Sequence, residues 1–262
     1  MKLQAFGELR RGRPVEINRK ELEYGHNYAE VVFCGDWHLG HPNCLVERIT
    51  ELLDYALRNK VYVLLMGDLI EAGLTGSVGD SVYTQKLNPQ QQVDRVIEIL
   101  HPLVRKKLVL GLLEGNHEAR ILKATGINVA KMMAGTLGVP YLHEACWNVW
   151  RVGSQKYTIY ALHGASGSKF IYTKLKAATD IAHYFPQADI VAHAHVHDIA
   201  SVAIERQYVG NGVNYRKQYV LLTGHYLGYR LSYAEAKGMP PSKVGSPKVK
   251  LVASEHDIHI RV

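Results

Sequence analysis

The chain has 262 residues, 47% of them apolar, and a formal net charge of +7 at pH 7 with 14 histidines left uncounted. It can bury a sizeable core, and its positive balance favours an anionic partner such as nucleic acid over a cationic one. Its three cysteines, Cys34, Cys44 and Cys146, show no CxxC spacing and argue against a disulfide framework or a zinc knuckle. Residues 1–13 lack an apolar core, and no stretch approaches the ~18 apolar residues of a membrane span, so a cytoplasmic protein without a membrane partner is expected.

Residues 1–27 read as a basic N-terminal extension, with Arg10, Arg11, Arg13, Arg19 and Lys20 around Pro14 and no clear periodicity. Residues 28–262 read as one domain. A strand over 31–34 runs into Gly35-Asp36-Trp37-His38. A helix over 44–59 follows, with Leu45, Ile49, Leu52, Leu53 and Leu57 on one stripe, and a strand over 61–66 then runs into Gly67-Asp68. Residues 71–88 are rich in Gly, Ser and Thr and predict a long functional loop. Asn88-Pro89 predicts an N-cap with proline in the first turn of the next helix.

That helix leads to the strand over 108–113, which breaks off in Gly115-Asn116-His117-Glu118. A buried parallel strand delivers polar groups to the carboxyl edge of its sheet in this way. A helix over 119–137, loosened by Gly126, comes next. After Pro140 the chain turns β-rich, with strands expected over 141–152, 157–162, 189–192, 201–209, 219–223 and 248–262 and one helix over 169–185. The 157–162 run ends in His163 and the 189–192 run in His193-Ala194-His195-Val196-His197. Two sheets sharing one core fit this order better than separable domains.

Asp36, His38, Asp68, Asn116, His163, His193 and His195 form a mixed oxygen and nitrogen ligand set. Such a set can hold two divalent ions about 3.5–4 Å apart with one carboxylate between them. Imidazole with carboxylate suits manganese first, with iron, zinc or nickel as alternatives, better than calcium or magnesium.

In this order, Asp-x-His, Gly-Asp, Gly-Asn-His-Glu, an isolated His and His-x-His, the sequence resembles the calcineurin-like metallophosphoesterase superfamily. The resemblance implies a four-layer α/β sandwich with two mixed β-sheets flanked by helices. It implies that Asp36, His38, Asp68 and His195 hold one ion and Asp68, Asn116, His163 and His193 the other, with Asp68 bridging. His117 would face the scissile phosphate, protonating the leaving oxygen or stabilising negative charge, while a hydroxide shared by the ions attacks in line. Glu118 is expected to fix the loop. The family pattern places its first histidine directly after the strand behind a small residue, here Ala192. That selects His193 and His195 and leaves His197 as a substrate contact.

The sequence departs from the protein-phosphatase pattern Gly-Asp-x-x-Asp-Arg-Gly. Here Gly67-Asp68 continues Leu69-Ile70-Glu71-Ala72-Gly73, so the arginine clamp is missing and Arg120 is the nearest substitute. Lys174, Lys176 and His225 join Arg120 and His197 as candidate substrate contacts. Tyrosines interleaved with basic residues over 169–185 and 215–233 suit a nucleic-acid strand. The expected activity is a nuclease-like phosphodiesterase of the superfamily's DNA-repair branch or a phage-type relative. The rivals are an enzyme for small or cyclic nucleotides and a non-catalytic scaffold; a homo-oligomer is compatible with either.

Overall fold

The computed structural model describes residues 17–75, 77, 81–164 and 167–262. Its strands are β1 (Ile17–Glu21), β2 (Tyr28–Cys34), β3 (Tyr62–Leu65), β4 (Val109–Leu112), β5 (Ala145–Val152), β6 (Gln155–Leu162), β7 (Ile190–His193), β8 (Ile199–Val209), β9 (Val213–Thr223), β10 (Lys248–Val252) and β11 (Ile258–Arg261). The helices among the described residues are α1 (Val46–Asn59), α2 (Ser81–Thr84), α3 (Pro89–Arg105), α4 (Asn116–Thr125), α5 (Val129–Leu137), α6 (Ile171–Tyr184) and α7 (Tyr233–Ala236). None is long and apolar enough to cross a membrane.

The strands form two mixed sheets, ordered β11-β10-β2-β3-β4 and β1-β5-β6-β7-β9-β8. In the first, β2, β3 and β4 run parallel, and Cys34, Leu65 and Leu112 lie side by side at their carboxyl ends. In the second, β6, β7 and β9 run parallel, and Leu162, His193 and Leu222 do the same. Both sheets therefore release their chains at aligned edges, which is where α/β sheets gather functional groups.

The inner faces pack on each other. Phe33 meets Trp150 at 6.0 Å between ring centroids, Tyr157 donates to Val252 O at 2.6 Å, and Asn18 donates to Leu110 O at 3.2 Å. Helices α1, α3 and α5 cover the five-stranded sheet with a stripe that includes Ile49, Leu53, Val96, Leu100 and Met133, all buried. Each such side chain contributes roughly 1.5–3 kcal/mol by leaving water. Helix α6 covers the other sheet through Ala178 and Ala182, which lie with Val191, Val220 and Leu222 in a smaller cluster. The layers run helix, sheet, sheet, helix, as expected.

Several expectations need adjustment. The stretch expected as an extension up to residue 27 contains a strand of the second sheet. Arg19 and Lys20 belong to β1, whose residues 17–21 pair in parallel with 147–151; alternate residues of this edge strand stay in solvent, which hid it as a charged arm. Arg10, Arg11, Arg13 and Pro14 lie outside the described residues. The 119–137 helix is two helices, because Gly126 takes φ +78° and closes α4. It also begins earlier, at Asn116, so Asn116 and His117 occupy a helix's first turn. The C-terminal run is two antiparallel strands that return to β2. Because the first strand joins the second sheet and the last two join the first, the chain's ends tie the two sheets together. The cap at Asn88 holds as read: its side chain accepts from Gln91 N, and Gln91 returns the bond to Asn88 N, each at 3.0 Å.

Candidate metal centre

Five strand ends, those of β2, β3, β4, β6 and β7, bring the sequence-predicted residues to one buried pocket. Asp36 and Asp68 are 0% and 1% exposed, and His38, His163 and His193 are similarly enclosed. The turns that carry them demand unusual backbone. Asp36, His38, Asp68, His195 and His197 all hold left-handed φ, at 50°, 48°, 50°, 67° and 53°. Left-handed non-glycine residues cost of order 1–3 kcal/mol each and collect at functional sites. The alternation of this conformation at 36 and 38, and again at 195 and 197, marks two turns of one kind.

The glycines beside these residues permit close backbone approach. A Cβ on Gly115 would lie 2.1 Å from Asp68 Oδ1, and one on Gly67 would lie 2.6 Å from Gly115 N. The Gly-Asp and Gly-Asn-His-Glu turns are thus stacked against each other. Glu118 binds them together: its carboxylate accepts from Asp68 N, Leu69 N, Ile70 N and Gly115 N at 2.7–3.3 Å. Burial and the neighbouring Asp68 charge push its pKa up to about 7. It fixes the loop, as expected.

Asp68 is the centre of the pocket. Its Oδ1 accepts from His117 N at 2.8 Å, at the start of α4, where helix N–H groups favour an anion. Its Oδ2 is buried without a hydrogen-bond partner and looks both ways, 3.9 Å from His38 Nε2 and 3.3 Å from His163 Nε2. Asn116 Oδ1 lies 3.2 Å from the same His163 nitrogen. On the other side, Asp36 Oδ1, also unpartnered, lies 4.0 Å from His38 Nε2 and 3.2 Å from His197 Nε2.

Three groups of possible ligand atoms result among the described residues: Asp36 with His38 and His197, Asp68 with His163 and His195, and His38 with Glu71 and His117. Ligands about 2.1 Å from a shared ion stand roughly 3 Å apart, so these spacings fit. The electrostatics agree. Burial alone would lower the His163 pKa, yet Asp68 and Asp36 raise it to about 10; the carboxylates hold a proton where a cation would sit. Burial lowers His38 to about 3, which leaves a neutral imidazole able to ligate. The residues present fit a pair of divalent ions.

Of the three alternating histidines, His195 and His197 group with the carboxylates and His193 does not. His193 is the last residue of β7, and its ring packs over Gly164, where a Cβ would lie 2.4 Å from its Nε2. It belongs to none of the three groups, and both its ring nitrogens are buried without a hydrogen-bond partner. His195 and His197 lie beyond the strand and reach the carboxylates instead. The small residue before that pair is Ala194. His197, expected as a substrate contact, sits among the candidate ligands.

Glu71 was missed as a functional residue. It is buried, holds His38 Nδ1 at 3.1 Å, and approaches His117 Nδ1 at 3.5 Å. Its signal was an acid three residues past Asp68 in a stretch bounded by Gly67 and Gly73. By engaging Nδ1 it leaves His38 Nε2 for the pocket. His117 Nδ1 also lies 2.6 Å from Glu71 O, and the Arg120 guanidinium follows the ring edge, 2.9 Å from Nε2. Burial, ahead of charge effects, lowers His117 to about 4.

The remaining substrate candidates fare differently. Arg120 stands beside His117 as expected. Lys174, only 11% exposed, is ion-paired with Asp198 at 2.5 Å, and Lys176 is paired with Asp180 at 2.6 Å. Lys174 thus meets a carboxylate of the loop between β7 and β8, and Lys176 one on its own helix. His225 is buried and stacks on His197, 5.2 Å between centroids at 11°, so it faces a candidate ligand rather than solvent.

A family model, calcineurin-like phosphoesterase, matches residues 29–199, more than half of the chain. No curated protein gives a match. Among solved structures the chain is similar to a double mutant of Vps29 from Entamoeba histolytica (17% identity, 88% of this chain and 89% of that one, TM-score 0.43). It is also similar to a predicted phosphoesterase from Streptococcus pneumoniae TIGR4 (14%, 90% of each chain, 0.38). A metallophosphoesterase from Sphaerobacter thermophilus gives 13%, 89% and 87%, and 0.39. At these identities and TM-scores the likeness does not reach activity or partners.

Proposed function

This chain belongs to the calcineurin-like phosphoesterase family, and we propose that it is a two-ion phosphoesterase. Asp36, His38, Asp68 and His197 would hold one ion, and Asp68, Asn116, His163 and His195 the other. The observation that carries this reading is the buried, unpartnered Asp68 Oδ2 standing between His38 and His163. Manganese is the proposed ion, with iron, zinc or nickel as alternatives. When bound, two such ions supply Lewis acidity, lowering the pKa of water and neutralising phosphate oxygens.

The chain's own groups do the rest. Asp68 receives the helix N–H at Oδ1 and keeps Oδ2 free to bridge. Glu71 aligns His38. His117 and Arg120 present a paired imidazole and guanidinium at the pocket's edge. Arg120 would supply the fork for a phosphate that the altered Gly-Asp motif lacks. With Nδ1 turned to Glu71 O and Nε2 to Arg120, His117 suits charge stabilisation and positioning better than proton donation at neutral pH.

The proposed substrate is a nucleic-acid phosphodiester. The +7 charge supports it, as does an exposed aromatic pair: Phe170 and Tyr172 stack 7° from parallel at the start of α6. They precede by one turn Lys174, whose partner Asp198 follows His197. Exposed rings beside a basic site stack bases. Cys34 and Cys44 form no disulfide, and a reducing cytoplasm is the proposed location. A second reading, hydrolysis of a small or cyclic nucleotide, is favoured by the pairing of Lys174 and Lys176, which leaves fewer charges for a long strand.

Single-stranded DNA, duplex DNA, RNA, cyclic nucleotides and a phosphomonoester, each assayed with manganese, test the activity. Silence across all five overturns it. For an inactive variant, a nucleic-acid substrate predicts affinity that rises with oligonucleotide length and falls with salt, with a log-log slope of about −0.7 per single-strand phosphate neutralised. Length-independent, salt-insensitive binding selects the small nucleotide.

A further inference from the structure

The family match ends at residue 199, yet one candidate ligand, His197, is braced by a segment far beyond it. His225 Nδ1 accepts from Leu227 N at 3.1 Å. That bond fixes the proton on Nε2, which donates to Ser242 Oγ at 2.7 Å. With both nitrogens engaged and only 6% of the residue exposed, the ring cannot turn. It lies flat against His197, 5.2 Å between centroids and 11° between planes. The His197 side chain is itself 32% exposed, so this wall does what burial does for Asp36, His38, Asp68 and His163.

The same segment grips the turn carrying Asp36 and His38. Tyr226 N donates to Asp36 O at 3.0 Å, Leu45 N to Tyr226 O at 2.8 Å, and Gly228 N to Asn43 O at 2.8 Å. The Asn43 side chain donates to Arg230 O at 3.2 Å. The segment closes on itself where Gly245 N donates to His225 O at 2.9 Å. A Cβ on Gly224 would lie 2.0 Å from Gly245 O, so that closure needs glycine there. The contacts fall on one side of the pocket, toward Asp36, His38 and His197. His163 is held instead from the first sheet, its Nδ1 donating to Met66 O at 2.8 Å, while His195 N donates to Asp36 Oδ2 at 2.9 Å.

We propose that residues 224–246 are a built-in brace for one of the two ion sites, and that His225 is a positioning residue that orients His197. The inference rests on the two-ion reading. Partners that orient a metal-binding histidine are worth about 10- to 100-fold in metal affinity when removed. His225→Ala should therefore weaken one manganese site by about that factor and leave the other within about twofold. Ser242→Ala, which removes only the Nε2 partner, should weaken the same site by a smaller factor.

Calorimetric titration of the metal-free proteins with Mn²⁺, beside thermal melts without metal, gives the readout independently of activity. One site weakened in both variants, with the metal-free Tm unchanged, supports the brace. Two sites of wild-type affinity overturn it. So does equal weakening of both sites with a fallen Tm, which marks general destabilisation. A wild-type protein binding one ion overturns the two-ion reading, and the brace is then judged by whether His225→Ala weakens that ion. Binding of no ion overturns both.

Discussion

The two halves of the pocket are built by different means. On the five-stranded sheet, each ligand-bearing turn is locked by glycine and backbone. Gly115 admits Asp68 at a distance no side chain would allow, and Glu118 gathers four N–H groups into one carboxylate. On the six-stranded sheet, three histidines alternate along one turn, and their choice depends on which lie past the strand and what packs against them. The first half has one workable register. The second half has two, and packing selects between them.

Asp68→Asn should have the largest effect, because it changes the atom the two halves share. We expect loss of bound metal at both sites by elemental analysis and a fall in turnover beyond the about 10²- to 10⁴-fold of a single proton-transfer group. Two ions retained at wild-type activity would remove Asp68 from the centre.

The register in the second half is sharpened by a pair of substitutions. His197→Ala should cost one of two ions, whereas His193→Ala should keep both and lose only stability, since its ring fills the space above Gly164. The reverse pattern in metal stoichiometry would restore the register beginning at His193.

His117→Ala comes next, with metals retained and turnover lowered by up to about 10²-fold, the lower end for a group acting in proton transfer. Positioning and charge stabilisation predict the same loss for substrates with good and poor leaving groups. A loss confined to poor leaving groups would make the residue a general acid after all.

Glu118→Ala tests how the first half is locked. It leaves four buried N–H groups without their acceptor, and each such orphan costs about 1–3 kcal/mol before relaxation. A denaturant midpoint clearly below that of the unaltered protein is expected, and an unchanged midpoint would deny Glu118 its role. Lys176→Ala should do least. Its pair with Asp180 is 72% and 54% exposed, and exposed pairs of this spacing contribute under about 0.5 kcal/mol; a large loss of nucleic-acid affinity would show that the pair opens to bind.

The strand ends, the order of the motifs and the residue types gathered at the pocket were readable from the chain alone. An apolar run stopped by glycine and an acid or histidine has little freedom in what it places at a sheet edge. The convergence of Asp36, His38, Asp68, Asn116 and His163 was legible for that reason, and so was the two-sheet core. Tertiary structure decided what local pattern leaves degenerate. The spacing of His193, His195 and His197 repeats every two residues, so only the end of β7 and the wall formed by His225 distinguish them. Residues 17–21 read as a charged arm because an edge strand with alternate residues in solvent looks like one until its partner, β5, is in place. Glu71, Lys174 and His225 take their orientation from partners 33, 24 and 28 positions away; no local pattern encodes an orientation that a distant contact imposes.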